Sequence, residues 1–336
     1  MPYVADPELA GFIQALPKTE THLHMEGAMP WELQMRVDPA RALVPPPSWA
    51  DDYRFPDFQT FLEVLIGSYK DFLTCPEHYG EAAGLVFSRH LEQNVRYVEF
   101  SIDAFTSELA GISLREVAQA ILAAAPPGLE ARLFVGFHRD GHSDAIRETA
   151  YGCLEWPEVS GIDIHDVETK PFADWLVDLY AEARKRGKVT KAHAGEFGDA
   201  GYVREAVERL EVDRIEHGIR AVEDPSVLAL LREKGVTLDV CPISNVKLQA
   251  SGPMSEHPIR TLFDGGVACT VSTDDPLVFG NRLSEEYVAL SRDLRFTRKE
   301  LIRVARNGWE AALIPDALRR AKLAELDALE GLVEGD

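Results

Sequence analysis

The chain has 336 residues, 46% of them hydrophobic, enough for one large core or two smaller ones. Its formal net charge of -21, with no Lys/Arg run, argues against a nucleic-acid partner, because a phosphate backbone would be repelled. Cys75, Cys153, Cys241 and Cys269 form no C-x-x-C pair, which argues against a disulfide framework or a thiolate zinc site. No leader-like pattern opens the chain and no uncharged run could span a bilayer, so a cytoplasmic protein without a membrane partner is expected.

Short runs rich in Val, Ile, Leu and Phe alternate with longer amphipathic segments, the pattern of βα units on a parallel sheet. The first strand is predicted at residues 18–24. The longest interruption follows, from Glu26 to Asn94. It carries Pro45-Pro46-Pro47 and then an apolar helical stretch at 58–72, read as a helical insertion placed like a lid. Further strands are predicted at 95–102, 133–138, 160–164, 189–194, 214–217, 237–241 and 268–272. Helical patterns at 172–186, 202–210 and 225–234 separate several of them, the last ending at Gly235, a C-cap residue. Residues 301–332 read as helices packed outside the strands. Eight βα units predict an α/β fold, a TIM-type (β/α)8 barrel forming a single domain over residues 1–336. An open doubly wound sheet is the alternative, but no glycine-rich phosphate loop follows the first strand.

In a barrel, catalytic groups gather at the C-terminal ends of the strands. The first predicted strand ends in His22-Leu23-His24, the fifth in His193-Ala194-Gly195-Glu196, the sixth in His217-Gly218 and the eighth in Asp274-Asp275-Pro276. The strand period of two points both His22 and His24 to one face, where they could bind one metal; Lys18 and Glu20 share that face. His193 adds a third nitrogen and Asp274 a carboxylate oxygen. Nitrogen and oxygen donors without thiolate suit zinc with a position open for water, whose pKa the metal lowers to about 7. Each residue also has a plainer reading. Glu196 would serve as a helix N-terminal carboxylate, His217 as a hydrogen-bonded core histidine, and Asp275 as a turn residue before Pro276. Phe55, Phe58, Phe61 and Leu62 read either as an apolar wall over a ligand or as core.

The run from Leu16 to Gly27, LPKTETHLHMEG, resembles the opening motif of the adenosine deaminase family. His193-Ala194-Gly195-Glu196, Arg214-Ile215-Glu216-His217-Gly218 and Ser272-Thr273-Asp274-Asp275-Pro276 resemble its three later motifs, in order. Cys241-Pro242-Ile243-Ser244-Asn245 and His257-Pro258 resemble further stretches, so the match spans nearly the whole chain. The resemblance implies a distorted (β/α)8 barrel with one zinc ion per chain that deaminates a small 6-aminopurine. It implies His22, His24, His193 and Asp274 as ligands, Glu196 as proton donor to purine N1, His217 acting on the attacking water, and Asp275 holding the purine.

Two positions depart from the adenosine-specific pattern, and both lie where substrate is chosen. Glu26 stands where an Asp that contacts ribose is usual, and Asp166 where a Gly whose backbone meets the purine is usual. The expectation is hydrolysis of an adenosine-type nucleoside, with free adenine or 6-aminodeoxyfutalosine as alternatives. A different mononuclear amidohydrolase and a non-catalytic binding protein are the readings of another class. The first is disfavoured as a two-metal enzyme because strand four ends in Ile164-His165 without a Lys, and the second because no ligand, acid or base is missing. His165 and Asp166 read equally as specificity residues or as a polar helix start.

Overall fold

The computed structural model describes residues 3–141 and 143–333. Eight parallel strands run in sequence order around a barrel: β1 (Lys18–Glu20), β2 (Val95–Asp103), β3 (Glu130–His138), β4 (Val159–His165), β5 (Val189–Ala194), β6 (Arg214–His217), β7 (Thr237–Val240) and β8 (Cys269–Val271). Helices cover the strands from outside, so strand residues are buried on both faces. That is why β2 buries Tyr97, Val98, Phe100 and Ile102, apolar residues from both of its faces. A TIM-type (β/α)8 barrel is therefore the fold.

The first strand is shorter than residues 18–24, and the reason is local. Ser272 Oγ takes the backbone N–H groups of Thr21 and His22 (3.0 and 3.1 Å), so these residues leave the ladder. Leu23 and His24 rejoin it only through single bridges to Asp274 and Ser101. The barrel closes there, with His24 N donating to Asp274 O (3.1 Å) and Asp274 N to His22 O (3.2 Å). Strands β2 and β4 each run one residue further than expected, which adds Asp103 and His165 to the ring of strand ends.

Lys18 does not face the mouth. Its Nζ donates to Ile13 O (2.6 Å) and Leu16 O (2.9 Å), plugging the opposite end. Helix Arg298–Ala311 seals the same end; Trp309 Nε1 donates to Pro17 O (2.7 Å) and Asn307 Nδ2 to Cys269 O (2.8 Å). Midway along the barrel, Lys191 Nζ sits 2.7 Å from Glu99, 3.3 Å from Glu216 and 3.6 Å from Asp239. Arg214 also pairs with Glu99, so two buried cations face three buried carboxylates there. Between β1 and β2, the expected insertion contains helices Phe58–Tyr69 and Pro76–Glu92, and the first lies over the mouth. Among the described residues no helix is long and apolar enough to cross a membrane.

Candidate active site

The strand ends converge on one cavity of about 460 Å³, lined at its base by His24, His193, Glu196, His217, Asp274 and Asp275. His22 lies directly beneath, 1% exposed, its ring 4.8 Å from that of His193 and 4.7 Å from that of His217. Two backbone features aim these groups. His217, the last residue of β6, and Asp274, just past β8, take positive φ (67° and 64°), a left-handed geometry that ordinary residues adopt only where surroundings hold them.

The donor set suits a metal ion. His22 Nδ1 donates to Asp239 O (3.1 Å) and His193 Nδ1 to Ile164 O (3.1 Å); a carbonyl only accepts, so each Nδ1 carries a hydrogen and Nε2 is the nitrogen left to ligate when the ring is neutral. Glu216 Oε2 also stands 2.9 Å from His193 Nδ1 and holds that tautomer. His22 Nε2 is a buried atom without a hydrogen-bond partner. His24 Nε2 lies 3.2 Å from His193 Nε2, and Asp274 Oδ1 lies 3.3 Å from both His22 Nε2 and His24 Nε2. Ligand atoms gathered this closely match a site for a shared cation. Four ligands about 2.0–2.1 Å from a tetrahedral zinc would stand roughly 3.3 Å apart. His22, His193, His217 and Asp274 offer ligand atoms close enough to share an ion, and His24 forms a second such group with Asp274 and Asp275, so the strand ends make a His/Asp cluster able to hold a divalent metal.

The carboxyl groups divide by environment. Burial, then the nearby Asp274 charge, raises the Glu196 pKa to about 8, so this group keeps a proton at neutral pH. The Glu168 carboxylate holds the loop that carries it, accepting from the backbone N–H of Glu196 (3.1 Å), Phe197 (2.8 Å), Gly198 (2.9 Å) and Gly195. Burial and Asp274 also raise Asp275, whose Oδ1 has no hydrogen-bond partner in the protein and borders the cavity. Gly27 makes room for it, since a Cβ there would overlap the Asp275 carboxyl. Ser244 Oγ donates to Asp274 Oδ2 (2.7 Å), and Asn245 Nδ2 reaches Glu196 Oε1 (3.3 Å).

The two departures sit at the cavity rim. Glu26 is buried, and burial, then Asp103, raises its pKa to about 8; its Oε1 accepts from Tyr79 Oη (3.3 Å) and Asp103 N (3.4 Å). Asp166 takes a positive φ of 76°, the conformation a glycine would supply, and its carboxylate meets Lys170 Nζ at 3.0 Å. The polar helix start read at His165 and Asp166 is not found, because the next helix begins at Asp174. His165 instead pairs with Asp103 (3.3 Å), beside His138. Phe58, Phe61 and Leu62 line the cavity wall, whereas Phe55 is fully buried core against Phe61 and Phe279. Asp103, His138, Glu168 and Asn245 were not picked out for roles by sequence reasoning. His138 was visible as a strand end; Glu168 and Asn245 act through contacts with segments distant in sequence.

A barrel carrying a buried histidine–aspartate cluster beside a proton-holding glutamate is built for metal-assisted hydrolysis. Comparison with known proteins makes the class specific. The family model described as adenosine deaminase matches residues 17–329, so the chain belongs to the adenosine deaminase family. An adenine deaminase of Sphingopyxis alaskensis is 32% identical, covering 97% of this chain and 98% of that protein. The crystal structure of an adenine deaminase from Arthrobacter aurescens superposes with TM-score 0.82 at 27% identity, covering 94% of this chain and 99% of that one. An amidohydrolase from Burkholderia ambifaria, solved with bound Zn, gives TM-score 0.83 at 25% identity over 100% of this chain and 97% of that one.

Proposed function

We propose that this enzyme deaminates free adenine, releasing ammonia and leaving a 6-oxopurine. The observation that carries this reading is the end-to-end similarity to proteins named adenine deaminase. It replaces the adenosine-type nucleoside as the first-ranked substrate. Glu26 agrees with it. Where adenosine-specific members place a ribose-binding Asp, this chain has a longer carboxyl already engaged by Tyr79 and Asp103.

In this reading His22, His24, His193 and Asp274 hold one zinc ion, which when bound supplies Lewis acidity to activate water. Glu196, protonated at neutral pH, gives its proton to purine N1 as the attack at C6 pushes charge onto that nitrogen. Asp275 is held protonated by burial and by Asp274, so it donates a hydrogen bond to the purine N7 acceptor. His217 faces the attacking water. Glu26 and Asp166 border the far edge of the base and set what it may carry.

A substituted adenine such as 6-aminodeoxyfutalosine is the second reading. One observation favours it: the cavity of about 460 Å³ is lined by Phe58, Leu62, Phe105 and Leu109 as well as by the catalytic groups, more room than a ten-atom base needs. The test is ammonia release by zinc-loaded protein from adenine, adenosine, deoxyadenosine, 6-aminodeoxyfutalosine and guanine. Adenine giving the highest kcat/KM supports the first reading. A substituted adenine winning by tenfold or more supports the second.

A further inference from the structure

One hydrogen-bond chain reaches the catalytic groups with every donor and acceptor fixed. It begins at the backbone N–H of Ile259, which can only donate, 3.2 Å from His257 Nδ1. His257 Nδ1 is therefore the acceptor, and the ring proton sits on Nε2. This ring is 1% exposed, and burial keeps it neutral by lowering its pKa to about 3. Its Nε2–H lies 3.3 Å from Asn245 Oδ1. That contact sets the amide orientation, since the flipped amide would press NH₂ against N–H. Asn245 Nδ2 then gives one hydrogen to Glu196 Oε1 (3.3 Å) and the other to His217 Nδ1 (3.1 Å). An amide nitrogen does not accept, so His217 Nδ1 is bare and its proton sits on Nε2, the nitrogen 3.6 Å from Glu196 Oε2 and 3.9 Å from Asp274 Oδ2.

We propose that His257 and Asn245 are positioning residues that lock His217 in its Nε2–H tautomer, so that His217 serves the reaction as a hydrogen-bond donor and neither ligates the metal nor takes the water's proton. The contrast with its neighbours is direct. His22 and His193 spend their Nδ1–H groups on carbonyls, which leaves Nε2 as the nitrogen that can ligate, whereas His217 is wired the opposite way round. His217 belongs to the group of four residues whose ligand atoms lie close enough to share an ion, and its tautomer is what sets it apart from the other three. The inference rests on the proposed deaminase reading for its use in catalysis, but the tautomer itself does not depend on substrate.

The test is histidine-selective 15N NMR on the zinc-loaded protein, with the His217 signals assigned by their loss in His217→Gln. Wild type should show His217 with a protonated Nε2 and a bare Nδ1. Asn245→Asp keeps the shape and still accepts from His257, but it puts an acceptor against His217 Nδ1, so that nitrogen should become protonated. His257→Phe keeps the ring volume and frees the amide, so the His217 signals should move toward a mixture of tautomers. On the substrate with the highest turnover, kcat of Asn245→Asp should fall roughly 10- to 100-fold with KM changed less than about threefold, the size expected for a residue that orients another. A wild-type His217 protonated on Nδ1, or a His217 tautomer unmoved in both variants, overturns the proposal. Because the tautomer is read without turnover, that failure is distinct from a wrong substrate.

Discussion

At the scale of single residues, Glu196 has to carry a proton at neutral pH, and burial beside Asp274 provides the reason. Since its raised pKa favours the protonated form below about 8, kcat should decline as pH rises through that value. Glu196→Gln keeps the shape without the transferable proton and should lower kcat roughly 10²- to 10⁴-fold with an unchanged circular-dichroism spectrum. His257 makes a prediction about stability. Its folded pKa of about 3 lies below the ordinary 6.5, so the unfolded chain takes the proton first and wild type loses stability as pH falls below 6.5. Between pH 7 and pH 5, urea unfolding should show wild type losing about 2 kcal/mol relative to His257→Phe. His22, His24, His193, Glu196, His217, Asp274 and Asp275 were legible in the sequence because strand ends in a barrel share one mouth, and the structure does bring all seven together. Asn245 and Glu168 were not legible as positioning groups. Their partners lie 12 to 49 and 27 to 30 residues away in sequence, and no local pattern encodes such pairings.

At the scale of elements, hydrophobic runs and their helical spacers placed all eight strands, since strands buried on both faces leave a strong apolar signal. The early end of β1 was hidden because it depends on Ser272, 250 residues away, capturing the backbone N–H of His22. The helix Phe58–Tyr69 divides its aromatic residues between two tasks, and mutation should separate them. Phe58 packs on Phe61 (5.6 Å) and Phe197 (5.3 Å) at the cavity wall. Phe58→Ala should raise KM more than it lowers kcat, while leaving the unfolding midpoint nearly unchanged. Phe55, just before that helix, is fully buried, so Phe55→Ala should cost about 3–5 kcal/mol in a urea titration.

At the scale of the whole molecule, the barrel joins two ends that differ in kind. The end holding Lys18 and Trp309 is closed by backbone-directed hydrogen bonds and supplies rigidity, whereas the mouth gathers His and Asp ligand atoms 3.2–3.3 Å from one another. Metal binding should therefore stabilise the fold. A chelator should lower Tm, and zinc returned at about a thousand times its Kd should restore roughly 4 kcal/mol, read by calorimetry. The acidic surface, with formal net charge -21, fits a small-molecule enzyme and opposes binding to a polynucleotide. The most direct test of the central claim is ammonia release from adenine by the zinc-loaded enzyme, with Glu196→Gln run alongside. The account predicts rapid turnover that the substitution abolishes. Zinc-loaded, folded protein that releases no ammonia from adenine or from any other 6-aminopurine would contradict it.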